Sequence, residues 1–383
     1  MQKTVSDGTR KTLTGTFDGH GHLRRNKKRM MQTVARDVLA EFCGMVVMPN
    51  PKPPITTTDL ALEYAGEISS AAPQRDNPRF NWVLTCYLTD ETKADDVIRG
   101  VEEDIWQAVK YMPANGSTNT AHAVTSIERI YPLLEKLEEY TRQNGRKKKI
   151  PVLWHGETVG ENIDPFDSER VFMEKDLPPV RKCFPNLPIV LEHITTREAA
   201  WFVEEDKGPT WATLTPQHLL FDRSRIFQRG TVAAGTFERG FFPSMVCWPL
   251  LKEKKDREAL LALIKGPARK RVGLGTDRAP HDYEEAKVPT KECGAGGCYP
   301  WRVALGMYAM AHEEAGALDY LEDFACRNIP IAVYELPQGQ NEIVLVKSAA
   351  SPIEIPGRIE IEDGFIVPML HGEKTPWRIE TSE

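Results

Sequence analysis

Eight short apolar runs, each closing on polar residues, punctuate the chain up to position 277. They lie at 17–23 (FDGHGHL), 44–50 (GMVVMPN), 81–88 (NWVLTCYL), 108–113 (AVKYMP), 151–157 (PVLWHGE), 188–196 (PIVLEHITT), 212–218 (ATLTPQH) and 271–277 (RVGLGTD). Brief runs rich in Val, Ile, Leu and aromatics, without strict alternation, are the pattern of strands buried on both faces. The segments between them carry helical spacing. Residues 30–43 place Met30, Met31, Val34, Ala35, Val38, Leu39 and Phe42 on one face, with Gly44 expected to end the helix. Residues 126–142 read the same way, with Ser126 as the N-cap. Eight strands alternating with helices predict a (β/α)8 TIM-type barrel. A doubly wound open sheet would show a Gly-rich phosphate turn after its first strand, and the sequence has none.

Two stretches fall outside the repeat. Residues 222–250 separate the seventh and eighth runs and are long enough for an active-site loop. After residue 330 short alternating runs are cut by Pro and Gly, which predicts a small β-rich C-terminal extension packed on the barrel. The expected organisation is therefore one domain over 1–383, with the barrel at about 17–330 and the extension at about 331–383.

Composition narrows the function. The chain has 49 basic and 55 acidic residues, a net charge of −6, and no basic stripe, so a nucleic-acid reader is not expected. No run approaches the length of a membrane span, and the polar start MQKTVSDGTRKTLTG lacks the apolar core of a secretion signal. Seven cysteines scattered from Cys43 to Cys326 fit reduced thiols and a cytoplasmic protein. Cys293 and Cys298 flank a Gly-rich segment that reads as a ligand-approaching loop rather than a metal clip.

Chemistry in such barrels sits at the C-terminal strand ends. Here those ends carry His20 and His22, Lys110, His155, His193 and Asp277. Side chains at i and i+2 of a strand point the same way, so His20 and His22 can converge on one cation. Neutral imidazoles with a carboxylate suit Zn²⁺ or a similar divalent ion. One His-x-His pair alone could be hydrogen-bonded to backbone; ligand-type residues on five of the eight strand ends are a set. Lys110 has two readings: a barrel lysine that snorkels, or a neutral amine that takes up CO₂ and bridges two cations as a carbamate. Arg24, two residues beyond His22, offers a bidentate fork for a carboxylate. His122, His218, His312 and His371 are read as structural, His218 least securely because it ends a strand.

In order along the chain, Asp18-x-His20-x-His22-x-Arg24, the Val-Met-Pro-Asn run ending at Asn50, Lys110-Tyr111-x-Pro113, His155-Gly156-Glu157, Glu192-His193, Gly275-Thr276-Asp277 and Ala279-Pro280-His281 resemble the compact dihydroorotases of the amidohydrolase superfamily. The likeness runs from about residue 17 to 375 and includes Cys-Tyr-Leu-Thr at 86–89 and Thr-Pro-Gln-His at 215–218. It implies two Zn²⁺ or similar ions bridged by carboxylated Lys110. His20, His22 and Asp277 would hold the more buried ion, and His155 and His193 the second. It further implies that Arg24, Asn50 and His281 bind the substrate carboxylate, that backbone near Trp248 and Gly296 meets the ring, and that 113–124 is a mobile loop contributing Ser117 and Thr118. Ser117 stands where the family usually has threonine, and Trp248 and Arg278 are departures near the pocket. The implied reaction is the reversible cyclisation of N-carbamoyl-L-aspartate to L-dihydroorotate in pyrimidine biosynthesis. A hydroxide between the metals would attack the ring amide, with Asp277 as general base. A homodimer with a small-molecule substrate is implied as well. A hydantoinase- or allantoinase-type enzyme is the alternative. A non-catalytic partner of aspartate transcarbamoylase is a third reading, but it should have lost ligands.

Overall fold

The computed structural model describes residues 6–25, 28–72, 80–144, 149–230, 237–287, 295–362 and 364–380. All eight apolar runs form strands: β1 (Asp18–Gly21), β2 (Gly44–Val47), β3 (Asn81–Tyr87), β4 (Ala108–Tyr111), β5 (Val152–Trp154), β6 (Ile189–Leu191), β7 (Thr210–Leu214) and β8 (Val272–Leu274). Each pairs in parallel with the next in sequence. The seam between β8 and β1 is closed by Asp277 N–H donating to His20 O (2.9 Å) and His22 N–H to Arg278 O (3.0 Å). The expected barrel is what the sequence forms.

Side-chain parity sorts the two cores. Val152 and Trp154, Ile189 and Leu191, and Val109 and Tyr111 point out against helix residues such as Val34, Val38, Leu134 and Leu137. Their neighbours Leu153, Val190 and Ala108 point inward with Phe17, Val46, Met48 and Val83, and Ile329 and Val333 join them. This apolar plug fills one end of the barrel interior. Lys110 shares the parity of Ala108, so the same alternation turns it inward at the other end.

Two capping expectations are corrected. The first helix spans Lys28–Glu41, and Gly44 opens β2 instead of ending the helix. A Cβ at Gly44 would lie 2.6 Å from the Phe17 ring, so close approach, not a helix cap, requires glycine there. The expected 126–142 helix is a 3₁₀ turn, Ile127–Ile130, leading into Tyr131–Asn144. The Ser126 hydroxyl bonds the Glu128 carboxylate and caps no backbone N–H.

The C-terminal segment is β-rich as expected, but its main sheet also uses the start of the chain. Arg10–Thr14 and Trp377–Ile379 flank Glu342–Lys347 in three antiparallel strands. Trp377 is buried, and its indole N–H donates to Glu313 on the helix Ala304–Ala315 (3.1 Å). The 222–250 stretch holds a short antiparallel pair, Gln228–Arg229 with Glu238–Arg239, and reaches the pocket described below through Trp248. No helix among the described residues is long and apolar enough to cross a membrane.

Candidate metal centre and substrate pocket

The strand ends bring the predicted ligands together. His20 and His22 both turn to one oxygen of Asp277, with Nε2–Oδ1 distances of 3.3 and 3.0 Å. His193 stands between His20 and His155, its ring centroid 4.9 Å from each. Two overlapping groups, His20–His22–Asp277 and His20–Glu192–His193, each hold their ligand atoms within 4.8 Å of one another. His193 and Asp277 both adopt φ of +45°, a left-handed conformation that costs energy in residues with a Cβ and clusters at functional sites.

Glu192 stands in a sequence motif that assigns it no role. It sits at the end of β6, buried, with one oxygen 2.8 Å from His20 Nδ1 and the other bonded to Lys110 Nζ. Lys110 is itself buried, which removes the snorkelling reading. Glu157 pairs with His155 Nε2 at 2.7 Å. A charged residue one or two places from a strand-end histidine was the available signal for both.

Burial and charge compete throughout. Burial pulls His20 down, but Glu192 and Asp277 outweigh it and lift its pKa to about 9. Burial and then the Arg24 charge lower His22 to about 4. Burial followed by the charges of His20 and His155 holds His193 well below its ordinary value. Burial likewise lowers the Lys110 ammonium against the pull of Glu192. Burial would raise Asp277, but hydrogen bonds with His20 and His22 win and hold it well below the carboxylate range.

An inner chamber is lined by His20, His22, Arg24, Asn50, Lys110, Met112, Ser117, His155, His193, Trp248, Asp277, Ala279 and Gly296. Its free volume of about 20 Å³ is room for about one water. Outside it lies a vestibule of about 550 Å³, bounded by 115–119, 157–160 and Trp248. The 113–124 loop is folded over the chamber: Asn50 Nδ2 donates to Thr118 O and Asn119 Nδ2 to Asn50 O, both at 3.1 Å. Ser117 faces the inner chamber, whereas Thr118 lines only the vestibule. His281 stands beside the chamber, Nε2 3.5 Å from Arg24 Nη2 and 3.1 Å from Gly296 O.

The remaining departures are resolved. Arg278 turns away from the pocket and is wholly buried between Asp18 and Glu41. His218 is structural: Thr215 Oγ1 lies 2.6 Å from Nδ1, and Pro249 O 3.1 Å from Nε2. His312 bonds Tyr308 O within its helix. Cys293 lies outside the described residues, while from the same segment Gly296 lines the inner chamber and Cys298 is buried in an apolar cluster with Met245 and Met307.

A buried cluster of imidazoles and carboxylates at the C-terminal ends of a (β/α)8 barrel, beside a buried arginine, lies where enzymes of this fold carry their chemistry. No family model matches the chain. It is 37% identical to the dihydroorotase of Cronobacter sakazakii over 368 residues, 96% of this chain and 97% of that one. It is 40% identical to the mitochondrial dihydroorotase of Oryza sativa over 367 residues, 96% and 83% of the two chains. Among solved structures it superposes on the dihydroorotase of Saccharomyces cerevisiae in complex with 5-fluoroorotic acid with a TM-score of 0.80, at 25% identity and covering 97% and 98% of the chains. The L-hydantoinase of Arthrobacter aurescens shares the fold, with a TM-score of 0.71 at 15% identity over 96% and 82% of the chains. The chain belongs to the dihydroorotase family.

Proposed function

We propose that this chain interconverts N-carbamoyl-L-aspartate and L-dihydroorotate with two divalent cations, Zn²⁺ in the first instance. His20, His22 and Asp277 would hold one cation and His155 and His193 the other, with Lys110, as a carbamate, a ligand shared by both. The donor set fits this role. His193 Nδ1 is buried without a hydrogen-bond partner among the described residues, and the neighbouring imidazoles are packed as closely as ligands of a shared centre. Burial favours the neutral Lys110 amine, the form that reacts with CO₂. When bound, such a pair of cations lowers the pKa of water towards neutrality and polarises a carbonyl.

The protein's own residues do the rest. Asp277, ionised at neutral pH, takes the proton of the attacking water and returns it to the ring nitrogen as the amide bond breaks. In the synthetic direction it removes the proton from the ureido nitrogen. Arg24, Asn50 and His281 hold the substrate carboxylate so that the amide carbonyl rests over the histidine cluster.

Arg24 is the observation that carries this reading. It is 7% exposed, its Nε has no partner, and no carboxylate of the described residues forms an ion pair with it, yet it lines the chamber beside the ligands. A buried guanidinium that feels the Asp277 charge only through space, with no carboxylate in ion-pair contact, is costly, and a substrate carboxylate supplies a direct partner. Hydantoin and allantoin bring no carboxylate. The test is kcat/KM of the Zn²⁺-loaded protein for L-dihydroorotate against hydantoin and allantoin. A preference for dihydroorotate of at least about a thousandfold is expected. Equal or reversed preference refutes the assignment. The resemblance also carries a cytoplasmic homodimer into the proposal, which sedimentation of the purified protein and cell fractionation check.

A further inference from the structure

Trp248 and Gly296 meet more closely than any side chain larger than hydrogen at 296 would permit. A Cβ built on Gly296 would overlap Trp248 Cδ1 and lie 2.6 Å from Nε1 and 2.8 Å from Cγ. The indole therefore rests directly on the Gly296 backbone. Its position is held from both sides of the segment: Gly297 N–H donates to Val246 O at 2.9 Å, and Gly296 O accepts from His281 Nε2 at 3.1 Å. A Cβ on Gly297 would in turn crowd Ala279 (2.6 Å) and His281 Nε2 (3.0 Å). The Gly-Gly segment is thus a thin partition with the indole against Gly296 and His281 against Gly297.

Trp248 is also the side chain that, with Ser117, borders both the vestibule and the inner chamber. Ser117 belongs to the overlying 113–124 loop, whereas Trp248 belongs to the segment between β7 and β8. We propose that the Trp248 indole, seated in the space left by Gly296, is the residue that sets substrate size: placed where the vestibule meets the inner chamber, it passes the unsubstituted dihydroorotate ring and rejects ring-alkylated analogues. This rests on the dihydroorotase reading above and adds to it a specificity determinant in the side chain of Trp248. The resemblance implied only backbone contacts at 248 and 296. Replacing indole by a smaller apolar group opens space for more than one methyl group, and each methylene in an apolar pocket is worth roughly 10- to 200-fold in discrimination.

The experiment is a double-mutant cycle of Trp248→Leu and Gly296→Ala, read in two ways. The first readout is selectivity, kcat/KM for L-dihydroorotate over its 5-methyl and N3-methyl derivatives. Trp248→Leu is expected to lower that ratio at least about tenfold for one of the two derivatives. An unchanged ratio for both overturns the size-setting role. The second readout is thermal denaturation, which needs no substrate. Gly296→Ala should lower Tm in the wild-type background and much less in the Trp248→Leu background, because the added methyl then has room. Equal losses in both backgrounds overturn the packing. If Gly296→Ala alone fails to fold, recovery of a folded double variant supports the partition, and failure of the double variant while Trp248→Leu folds counts against it. A wild type inactive on dihydroorotate would refute the assigned reaction and the specificity claim with it, and the Tm cycle would still decide the packing.

Discussion

Arg278 offers a stability prediction that follows from burial and charge alone. Its guanidinium is fully buried, 2.9 Å from Glu41 Oε2 and 3.3 Å from Asp18 Oδ2, across the seam between β8 and β1. Both carboxylates are fully buried too. Arg278→Met removes the cation and leaves two buried carboxylates without it, a loss of about 3–5 kcal/mol. With about 2.1 cal/mol/K per residue, unfolding of a chain this long carries an entropy near 0.8 kcal/mol/K, so Tm falls by about 4–6 °C. Burial raises the Glu41 pKa to about 7 despite Arg278. Folded Glu41 therefore keeps its proton to about pH 7, while the unfolded chain releases it near 4.5. Over that window the native state binds more protons, and this group's contribution to stability falls as pH rises. Without Arg278 the Glu41 pKa moves higher still, so at about pH 6 the variant escapes part of the loss by holding Glu41 neutral. Calorimetry should show a larger Tm deficit at about pH 8.5 than at about pH 6. A deficit under about 1 °C, or one independent of pH, would refute this account of the seam.

Three further outcomes concern the pocket. Asp277→Asn should lower kcat by about 10²–10⁴ while metal analysis still finds bound cation; near-normal turnover would take Asp277 out of proton transfer. Arg24→Ala should raise KM for L-dihydroorotate by about two orders of magnitude, since two charge-assisted hydrogen bonds are lost, and an unchanged KM would place the carboxylate elsewhere. Ser117→Ala should lower kcat/KM by about 3- to 10-fold, the worth of one neutral hydrogen bond, and more than Thr118→Ala does. The opposite order would make Thr118 the inner contact.

The barrel was legible because its signal is local: each strand is a compact apolar run, and Lys110 follows Ala108 inward by simple alternation. The histidines were legible because polar ligands at strand ends have little structural reason to recur. What escaped depends on residues far apart in sequence. Arg10–Thr14 gives no hint that it will pair with Glu342–Lys347. Gly44 looks like a helix cap until Phe17 is seen against it. Arg278, adjacent to Asp277, reads as a pocket residue, but it points the other way along the seam to Glu41. Glu192 gains its meaning only when barrel closure brings Lys110 and His20 to its two oxygens. The Trp248–Gly296 contact joins two loops, and neither sequence alone shows that one is shaped for the other.

The bridged two-cation centre is the central claim, and metal content with ¹³C labelling addresses it without relying on turnover. Purified wild type and Lys110→Ala are loaded with Zn²⁺ in ¹³C-bicarbonate. Two cations per wild-type chain and a carbamate carbon resonance, with at most one cation and no resonance in the variant, is the result predicted. Equal metal content in the two proteins, or a wild type without the carbamate signal, would contradict it.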